Sequence, residues 1–299
     1  MTDLTTKREE RLSYLVLVIP AVAVYFSVMA FPTIFSVVLS LTNYNGGRIF
    51  GNPRLALVGF NSYIQTFLDP DFYLALRNNI FIVLMSVFGQ IPLGFILAYI
   101  LSRRLVKGTD FFQTMIYLPN VISPVIIGIL FKSFYLNRDS VYMEIVKILN
   151  PAVEFSLNKY PMIPVLVVML WMYTGMYVII FLANIQRIDV SIIEAAKIDG
   201  AGELQTLRYI MLPALSGVIV TSAILAISGS LKSFDLLFVM TQGGPAKQTS
   251  VLSLYMFTKA FGTSVKYPLA NAISTIMVAI SFMLIGLTRV VEKRFGGRE

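Results

Sequence analysis

Six long apolar stretches, almost free of charged side chains, dominate this sequence of 299 residues. A helix that crosses the hydrocarbon core of a bilayer needs about 20 mostly apolar residues. Charged side chains occur in only two of the stretches: Lys132 in the third, and Lys232 and Asp235 in the fifth. The pattern predicts transmembrane helices at residues 13–41, 78–101, 114–134, 162–186, 214–240 and 268–288.

The composition agrees with a membrane protein and excludes most soluble classes. Hydrophobic residues make up 57% of the chain and charged residues 13%, against about 45–50% and about 25% in soluble domains. The net charge of +8 would suggest nucleic acid as a partner of a soluble protein, but membrane proteins collect Lys and Arg in cytoplasmic loops. We therefore predict an all-α integral membrane protein with a single transmembrane domain over residues 1–299. We expect it to contact the lipid bilayer and not to bind nucleic acid.

The chain contains no His and no Cys. This excludes disulfides, zinc sites built on thiolate or imidazole, cysteine nucleophiles and Ser-His-Asp triads. We predict no catalytic residue and no metal site. The sequence also lacks the phosphate-binding pattern G-x-x-x-x-G-K-[ST], so ATP that drives this protein would bind to another chain.

The distribution of basic residues predicts the orientation. With a cytoplasmic N-terminus, the inside segments hold 13 Lys and Arg in 60 residues and the outside segments hold 9 in 90. Basic residues concentrate on the cytoplasmic side, which predicts that both termini are cytoplasmic. The first apolar stretch is much longer than the roughly 7–15 residues of a signal-peptide core, so we expect it to remain as the first span.

The longest predicted inside loop, residues 187–213, contains two short amphipathic helices on either side of Gly200. One interpretation is a loop that lies on the membrane surface. Small side chains at Ala195, Ala196 and Gly200 favour another interpretation, because they let a second protein approach closely. Under that interpretation, charged anchors are available at Glu194 and Asp199.

The pattern of this loop resembles the EAA loop of ABC-importer permeases. The matching residues are Glu194-Ala195-Ala196, Gly200, Ile210 and Leu212-Pro213, at the family's spacing. In that family a short helix of the loop docks into a cleft on a cytoplasmic ATPase subunit and transmits ATP-driven closure to the membrane helices. The resemblance implies ATPase-coupling positions at Glu194, Ala195, Ala196, Asp199, Gly200 and Pro213.

Further motifs are similar to the signature of sugar permeases. They are Asn78-Asn79, Leu118-Pro119-Asn120, Trp171 with Gly175, Phe234-Asp235 and Thr241-Gln242-Gly243-Gly244-Pro245. The resemblance covers roughly residues 13–290. It implies the type I ABC-importer permease fold and a multi-pass location in the bacterial inner membrane. Among sugar permeases, the chain looks most like a permease subunit of the alginate-oligosaccharide importers.

The resemblance also implies partners. Cargo, a sugar or an oligosaccharide such as an alginate or other uronate oligosaccharide, would arrive on a periplasmic solute-binding protein that faces Gly243, Gly244 and Pro245. It would cross between this chain and a second permease subunit, in a heterodimer. Two ATPase subunits, which hold ATP and Mg²⁺, would drive the alternation of access. This chain would bind no cofactor and catalyse no reaction.

Polar side chains inside spans are costly and often mark a transport pathway. Aromatic rings offer flat faces to sugars, and amides and hydroxyls offer hydrogen bonds. Alternatives stay open: the aromatic residues pack, the serines bond to their own backbone, and Lys232 pairs with Asp235 on one helix face. The predicted substrate-pathway residues are Gln90, Trp171, Tyr173, Ser228, Ser230, Lys232, Asp235 and Asn271.

Two other functional classes compete with the importer subunit. An ion-coupled secondary transporter usually needs an ionisable group deep in the helix bundle, whereas Asp235, the one acid in a predicted span, lies near an outer end. An intramembrane enzyme would need a catalytic group, and the spans contain no His, no Cys and no paired carboxylates. A purely structural scaffold would not need the complete EAA pattern. We therefore favour the importer subunit.

Overall fold

The computed structural model describes the backbone of residues 2–49, 51, 53, 55–135, 144–145, 148 and 161–295, and the side chains of those between residues 12 and 290. Regular structure in this part of the chain is helical, apart from an isolated β-bridge between Thr42 and Leu57. The predicted outside segment 135–161 lies largely outside the described residues.

Four described helices are long and apolar enough to cross a membrane unaided: Leu12–Ser40, Pro70–Ser102, Met162–Ile185 and Tyr267–Val290. Two more candidate spans are pairs of helices with a sharp bend, which is 94° between Thr109–Val121 and Pro124–Tyr135 and 66° between Glu203–Ala214 and Ser216–Leu231. When each bent pair counts as one span, the described part of the chain has the six spans that the apolar stretches predict.

The described helices are numbered here in chain order. They are α1 (Thr2–Tyr25), α2 (Phe31–Ser40), α3 (Asn61–Leu68), α4 (Pro70–Met85), α5 (Ile91–Ser102), α6 (Thr109–Val121), α7 (Pro124–Tyr135), α8 (Met162–Ile185), α9 (Val190–Ile198), α10 (Glu203–Thr206), α11 (Leu212–Ala214), α12 (Ser216–Leu231), α13 (Asp235–Thr241), α14 (Leu252–Phe261) and α15 (Tyr267–Phe295). Five-residue π-helical turns join α1 to α2 (Phe26–Ala30), α4 to α5 (Ser86–Gln90) and α10 to α11 (Leu207–Met211).

Each of these π-helical turns is centred four residues before a proline: Pro32, Pro92 or Pro213. A proline inside a helix has no N–H, and its ring clashes with the carbonyl four residues back. The residue before each proline bonds five residues back, as the Ile91 N–H does to the Ser86 carbonyl. The wider turn relieves the clash, so the helices continue through these prolines.

The third predicted span, residues 114–134, contains a sharp break. Helix α6 ends at Val121 and α7 begins at Pro124 with a bend of 94°. The residue before a proline is disfavoured in helical conformation, and this residue is Ser123. Its hydroxyl accepts a hydrogen bond from the Val125 N–H at 3.3 Å, which caps the new helix. This hydrogen bond provides a partner for one of the backbone N–H groups that the start of α7 leaves without an intrahelical partner.

The fifth predicted span, residues 214–240, is also interrupted. Helix α12 ends at Leu231 and α13 begins at Asp235, so residues 232–234 are not helical. A helix end leaves carbonyls without intrahelical partners. The amide of Asn79 donates to the carbonyl of Ser230 at 3.0 Å. A buried side chain from another helix therefore stabilises the break, which the apolar pattern of the span did not predict.

The residues form two compact units, each defined by its internal contacts. The first comprises Met1–Leu68 and Met256–Ile276. Within it, the hydroxyl of Ser36 donates to Oδ1 of Asn271 at 2.8 Å, and the hydroxyls of Ser40 and Tyr63 lie 2.6 Å apart. These bonds join the first span to α15 and to α3.

The second unit comprises Asp69–Tyr255 and Met277–Glu299, and α8 is its central helix. Half of the 24 residues of α8 are buried. A Cβ atom added at Gly175 would lie 2.3 Å from the carbonyl oxygen of Ile116 in α6. One added at Gly94 in α5 would lie 2.6 Å from Cβ of Tyr177. The neighbours of α8 therefore approach it at the distance that only glycine permits.

We expect Gly175→Ala to destabilise the protein, because the new methyl group would overlap backbone that has little room to move. Overpacking a filled contact typically costs about 1–3 kcal/mol. The matched control is Gly217→Ala in α12, where an added Cβ meets nothing within 4 Å. Thermal unfolding in detergent should show a lower Tm for Gly175→Ala and an unchanged or higher Tm for the control. Equal Tm values for the two variants would contradict the close contact.

Candidate functional site

A cavity of about 290 Å³, lined by both apolar and polar side chains, lies inside the second unit. It is bounded by the π-helical turn Ser86–Gln90, one face of α8, the end of α12 and the start of α13. Helix termini that meet at a cavity inside a membrane protein are typical of transport sites, because the end groups remain available to a ligand. The polar residues of the lining are Ser86, Gln90, Tyr173, Tyr177, Ser230, Lys232, Ser233 and Asp235.

The amide and hydroxyl groups of the cavity are held by internal hydrogen bonds. Gln90 is 1% exposed, and its amide donates to the carbonyl of Met169 at 2.9 Å. The hydroxyl of Ser230 donates to that of Ser86 at 3.0 Å. An amide in the hydrocarbon region needs such a partner, so the two helical segments and α8 form one fixed polar lining.

The two charged residues of the cavity stand at opposite helix ends. Lys232 follows the last residue of α12, and Asp235 is the first residue of α13. A cation at a C-terminus and an anion at an N-terminus both interact favourably with the helix dipole. Within the described part of the chain, no ion pair joins Lys232 to Asp235. Each charge is therefore stabilised at its own helix end and faces the cavity.

Three predicted pathway residues are not among those that line this cavity. Trp171 stands two residues before Tyr173, on another face of α8, and its half-exposed ring packs edge-on against Phe131 with the centroids 5.5 Å apart. Ser228 is half-buried and does not line the cavity. Asn271 belongs to the first unit. The described contact of the Trp171 ring is therefore its packing against Phe131.

Sequence reasoning missed two serine residues of the lining, Ser86 and Ser233, and also missed Tyr177. A signal for the first was available, because Ser86 precedes Gln90 by four residues and residues four apart share a helix face. The second had no such signal. Ser233 lies in the non-helical break, which the apolar pattern did not reveal.

The predicted coupling loop contains α9, called the docking helix below. Its N-terminus is capped by Asp189, whose carboxylate accepts a hydrogen bond from the Ser191 N–H at 2.9 Å. This bond lowers the pKa of Asp189. At the other end Gly200 has a φ of +81°, and the Ala201 N–H bonds back to the carbonyl of Ala196 at 2.9 Å. This is the glycine-terminated helix ending known as the Schellman motif.

None of the nine residues of the docking helix is buried. Its apolar side chains include Ile192, which is 52% exposed, and Ile198, which is 87% exposed. Beside its C-terminus lies a shallow hollow lined by Asp199, Gly200, Ala201, Gln205, Tyr209 and Ile210. Exposed apolar side chains next to a hollow are typical of a protein interaction site.

Three side chains, called the Glu203 clamp below, join the coupling loop to the end of α5. The hydroxyl of Tyr99 donates to Oε2 of Glu203, and Nη2 of Arg103 donates to Oε1. The bond to Glu203 raises the pKa of Arg103. Sequence reasoning missed this cluster, because about a hundred residues separate its two sides and no local pattern connects them.

The Gly-Gly-Pro sequence after α13 forms the tight turn that its composition predicts. Gly243 has a φ of +82°, and the peptide bond between Gly244 and Pro245 is cis. The N–H of Gly244 donates to the carbonyl of Thr241 at 2.8 Å. The hydroxyl of Thr249 donates to the carbonyl of Gly244 at 2.9 Å, which closes the turn from the other side.

Two buried asparagines of α4 hold the segment that follows this turn. The amide of Asn78 donates to the carbonyls of Gln248 and Ser250, both at 2.8 Å. Oδ1 of Asn79 accepts from the N–H of Leu252 at 2.7 Å. The segment is therefore fastened to α4 through side-chain bonds to its backbone. These bonds give Asn78-Asn79 a structural role.

Comparison with known proteins identifies the family. Residues 90–297 match the family described as the inner membrane component of binding-protein-dependent transport systems. The lactose transport system permease protein LacF of Rhizobium radiobacter is 32% identical, with 89% of each chain covered. The multiple sugar-binding transport system permease protein MsmF of Streptococcus mutans is 32% identical over 88% of this chain and 87% of its own.

A solved structure has the same fold. A chain of a bacterial ABC transporter involved in the import of the acidic polysaccharide alginate superposes with a TM-score of 0.82 at 20% identity, covering 98% of this chain and 99% of its own. This likeness confirms the predicted all-α ABC-importer permease fold. The chain therefore belongs to the family of inner-membrane components of binding-protein-dependent transport systems and is a multi-pass protein of the inner membrane.

Proposed function

We propose that this chain is one of two permease subunits of an ATP-driven importer for sugars or oligosaccharides. The second subunit is similar but not identical, and a periplasmic solute-binding protein delivers the cargo. Two cytoplasmic ATPase subunits drive the alternation between outward- and inward-facing states. The observation that carries this proposal is the docking helix, which has firm caps at both ends and no buried residue.

The docking helix supports the assignment of the ATPase contact. Glu194 and Ala195 are exposed, so a partner's cleft can receive this face without any unfolding of the loop. Gly200 ends the helix and borders the adjacent hollow. In our proposal Glu194, Ala195, Ala196, Asp199 and Gly200 contact or shape the ATPase interface, and Pro213 directs the chain into α12. This loop and both termini are then cytoplasmic.

In this scheme the chain performs no chemistry and holds no cofactor. ATP and Mg²⁺ belong to the ATPase subunits, whose closure after ATP binding moves the docking helix. The permease acts through contacts that differ between two conformations, which is the requirement for any ligand-driven shift between states. Its task is to convert movement of the loop into opening or closure of the cargo pathway.

The cavity of the second unit is our candidate for the cargo pathway of this subunit. Hydroxyl and amide groups suit the hydroxyls of sugars, and the ring of Tyr173 offers a flat face. The names of LacF and MsmF connect them with lactose and with multiple sugars, which favours a sugar cargo here. In our proposal Gln90, Tyr173, Ser230, Lys232 and Asp235 contact it.

The fastened turn at Gly243, Gly244 and Pro245 is our candidate for the surface that meets the binding protein. A docking surface costs less ordering entropy when it is already rigid. Bonds from α4 hold the following segment, and the ion pair between Lys247 and Asp71 adds a further link. A solved alginate ABC transporter structure contains a pentasaccharide-bound periplasmic protein, and its chain superposes on this one with a TM-score of 0.81 at 19% identity.

Glu194→Lys should release the ATPase, because the substitution reverses the charge of an exposed anchor on the docking helix. We would purify the chain in detergent from its native host and identify the proteins that accompany it. The wild type should bring a second permease and an ATPase, and Glu194→Lys should retain the permease and lose most of the ATPase.

The matched control for this experiment is Asp110→Lys. It makes the same change of charge at an exposed residue in the first turn of α6, another predicted cytoplasmic segment. It should leave the ATPase bound. If the wild-type chain purifies alone and still moves solute in liposomes without ATP, the importer proposal fails and an ion-coupled carrier replaces it.

Lys232→Met should reduce uptake of uronate oligosaccharides, because Lys232 lines the cavity and its ammonium group can bond a carboxylate. Losing a hydrogen bond to a charged group costs about 1.5–3 kcal/mol, so uptake at subsaturating cargo should fall roughly tenfold or more. Lys107→Met, at an exposed loop residue, is the control. Transport of uronate and neutral oligosaccharides would be measured at saturating ATP. Unchanged uronate uptake would remove Lys232 from the cargo pathway.

A further inference from the structure

None of the nine residues of the docking helix is buried. The described contacts that hold this loop to the rest of the second unit lie in the residues that flank the helix, so a force on the helix can pass into the protein through the chain on either side. On the N-terminal side, Ile188 packs against the core formed by α5 and α8. On the C-terminal side, the first fixed contact of a side chain with another helix is that of Glu203, three residues after Gly200.

The Glu203 clamp is built to hold one carboxylate from two sides. Tyr99 and Arg103 are four residues apart at the end of α5, so they share one face. Each donates to a different oxygen of Glu203. A carboxylate with both oxygens engaged has a fixed position and orientation, whereas a single flexible ion pair would allow it to swing.

The clamp is continuous with the cavity through a single helical segment. The chain runs helically from Tyr99 back to Gln90, the last residue of the π-helical turn that lines the cavity. Nine residues of helix span roughly 14 Å at 1.5 Å per residue. A displacement of Glu203 therefore reaches the polar lining along one rigid element, without any intervening loop.

We propose that the Glu203 clamp is the positioning contact that couples movement of the docking helix to the cavity. Tyr99, Arg103 and Glu203 act through α5 and touch neither ATP nor cargo. This inference rests on the proposed function, because it needs an ATPase on the docking helix. The Glu203 side chain is 65% exposed and that of Arg103 is 24% exposed. Exposed ion pairs add little to stability, so the contact can be removed without unfolding the protein.

The test uses the complete importer, with both permeases, the ATPase and the binding protein, in proteoliposomes. In Glu203→Gln, ATP hydrolysis should persist while the ATP consumed per sugar imported rises by about fivefold or more, the lower end of typical coupling between sites. Arg103→Glu should behave in the same way. The double variant Arg103→Glu with Glu203→Arg restores opposite charges and should return the ratio to within about twofold of wild type.

Controls separate this inference from the function on which it rests. Asp110→Asn removes an exposed carboxylate from a neighbouring cytoplasmic segment and should leave the ratio unchanged. The proposed role of the clamp is wrong if the clamp variants still bind the ATPase and consume as much ATP per imported sugar as the wild type. It is also wrong if ATP hydrolysis and sugar uptake fall in equal proportion. Failure of the importer proposal would look different, since the wild-type chain would then co-purify with no ATPase at all.

Discussion

Inside a bilayer, every backbone N–H and C=O must find a partner within the protein, because hydrocarbon offers none. The cavity of the second unit depends on how this requirement is met where a helix stops. Between α12 and α13, Asn79 satisfies the carbonyl of Ser230 and the hydroxyl of Ser253 satisfies that of Ser233. With these carbonyls bonded, the chain can break there and expose the ends of two helices to the cavity. The charges of Lys232 and Asp235 then have favourable dipoles beside them.

The same turn of α4 also supports the segment that follows the Gly-Gly-Pro turn, through Asn78. Two adjacent amides thus hold a proposed docking surface and the wall of the proposed pathway. Because Asn78 and Asn79 are adjacent in α4, a movement of this turn of the helix would disturb the bonds of both side chains. The second unit therefore has three polar junctions, namely the segment after the Gly-Gly-Pro turn, the cavity and the Glu203 clamp. Helices α4 and α5, with the π-helical turn between them, connect all three.

The number of spans and the two short helices on either side of Gly200 could be predicted from the sequence, because length and helical spacing are local properties. Other features depend on partners that are distant along the chain. Pro20 and Pro119 lie inside helices, whereas a break precedes Pro124, so a proline alone does not predict an interruption. Trp171 was expected at the pathway because an indole ring offers a flat face to a sugar, but its ring packs edge-on against Phe131 and it does not line the cavity.

The three π-helical turns have a consequence for comparing this chain with its relatives. A π-helical turn contains one more residue than the α-helical path it replaces, so it is structurally a single-residue insertion held in place by the following proline. A relative that lacks the proline equivalent to Pro92 can lose one residue from Ser86–Gln90 and still keep the rest of the span in phase. Length differences between aligned spans should therefore cluster at these turns, and a gap placed elsewhere would rotate every cavity-facing residue beyond it by about 100°.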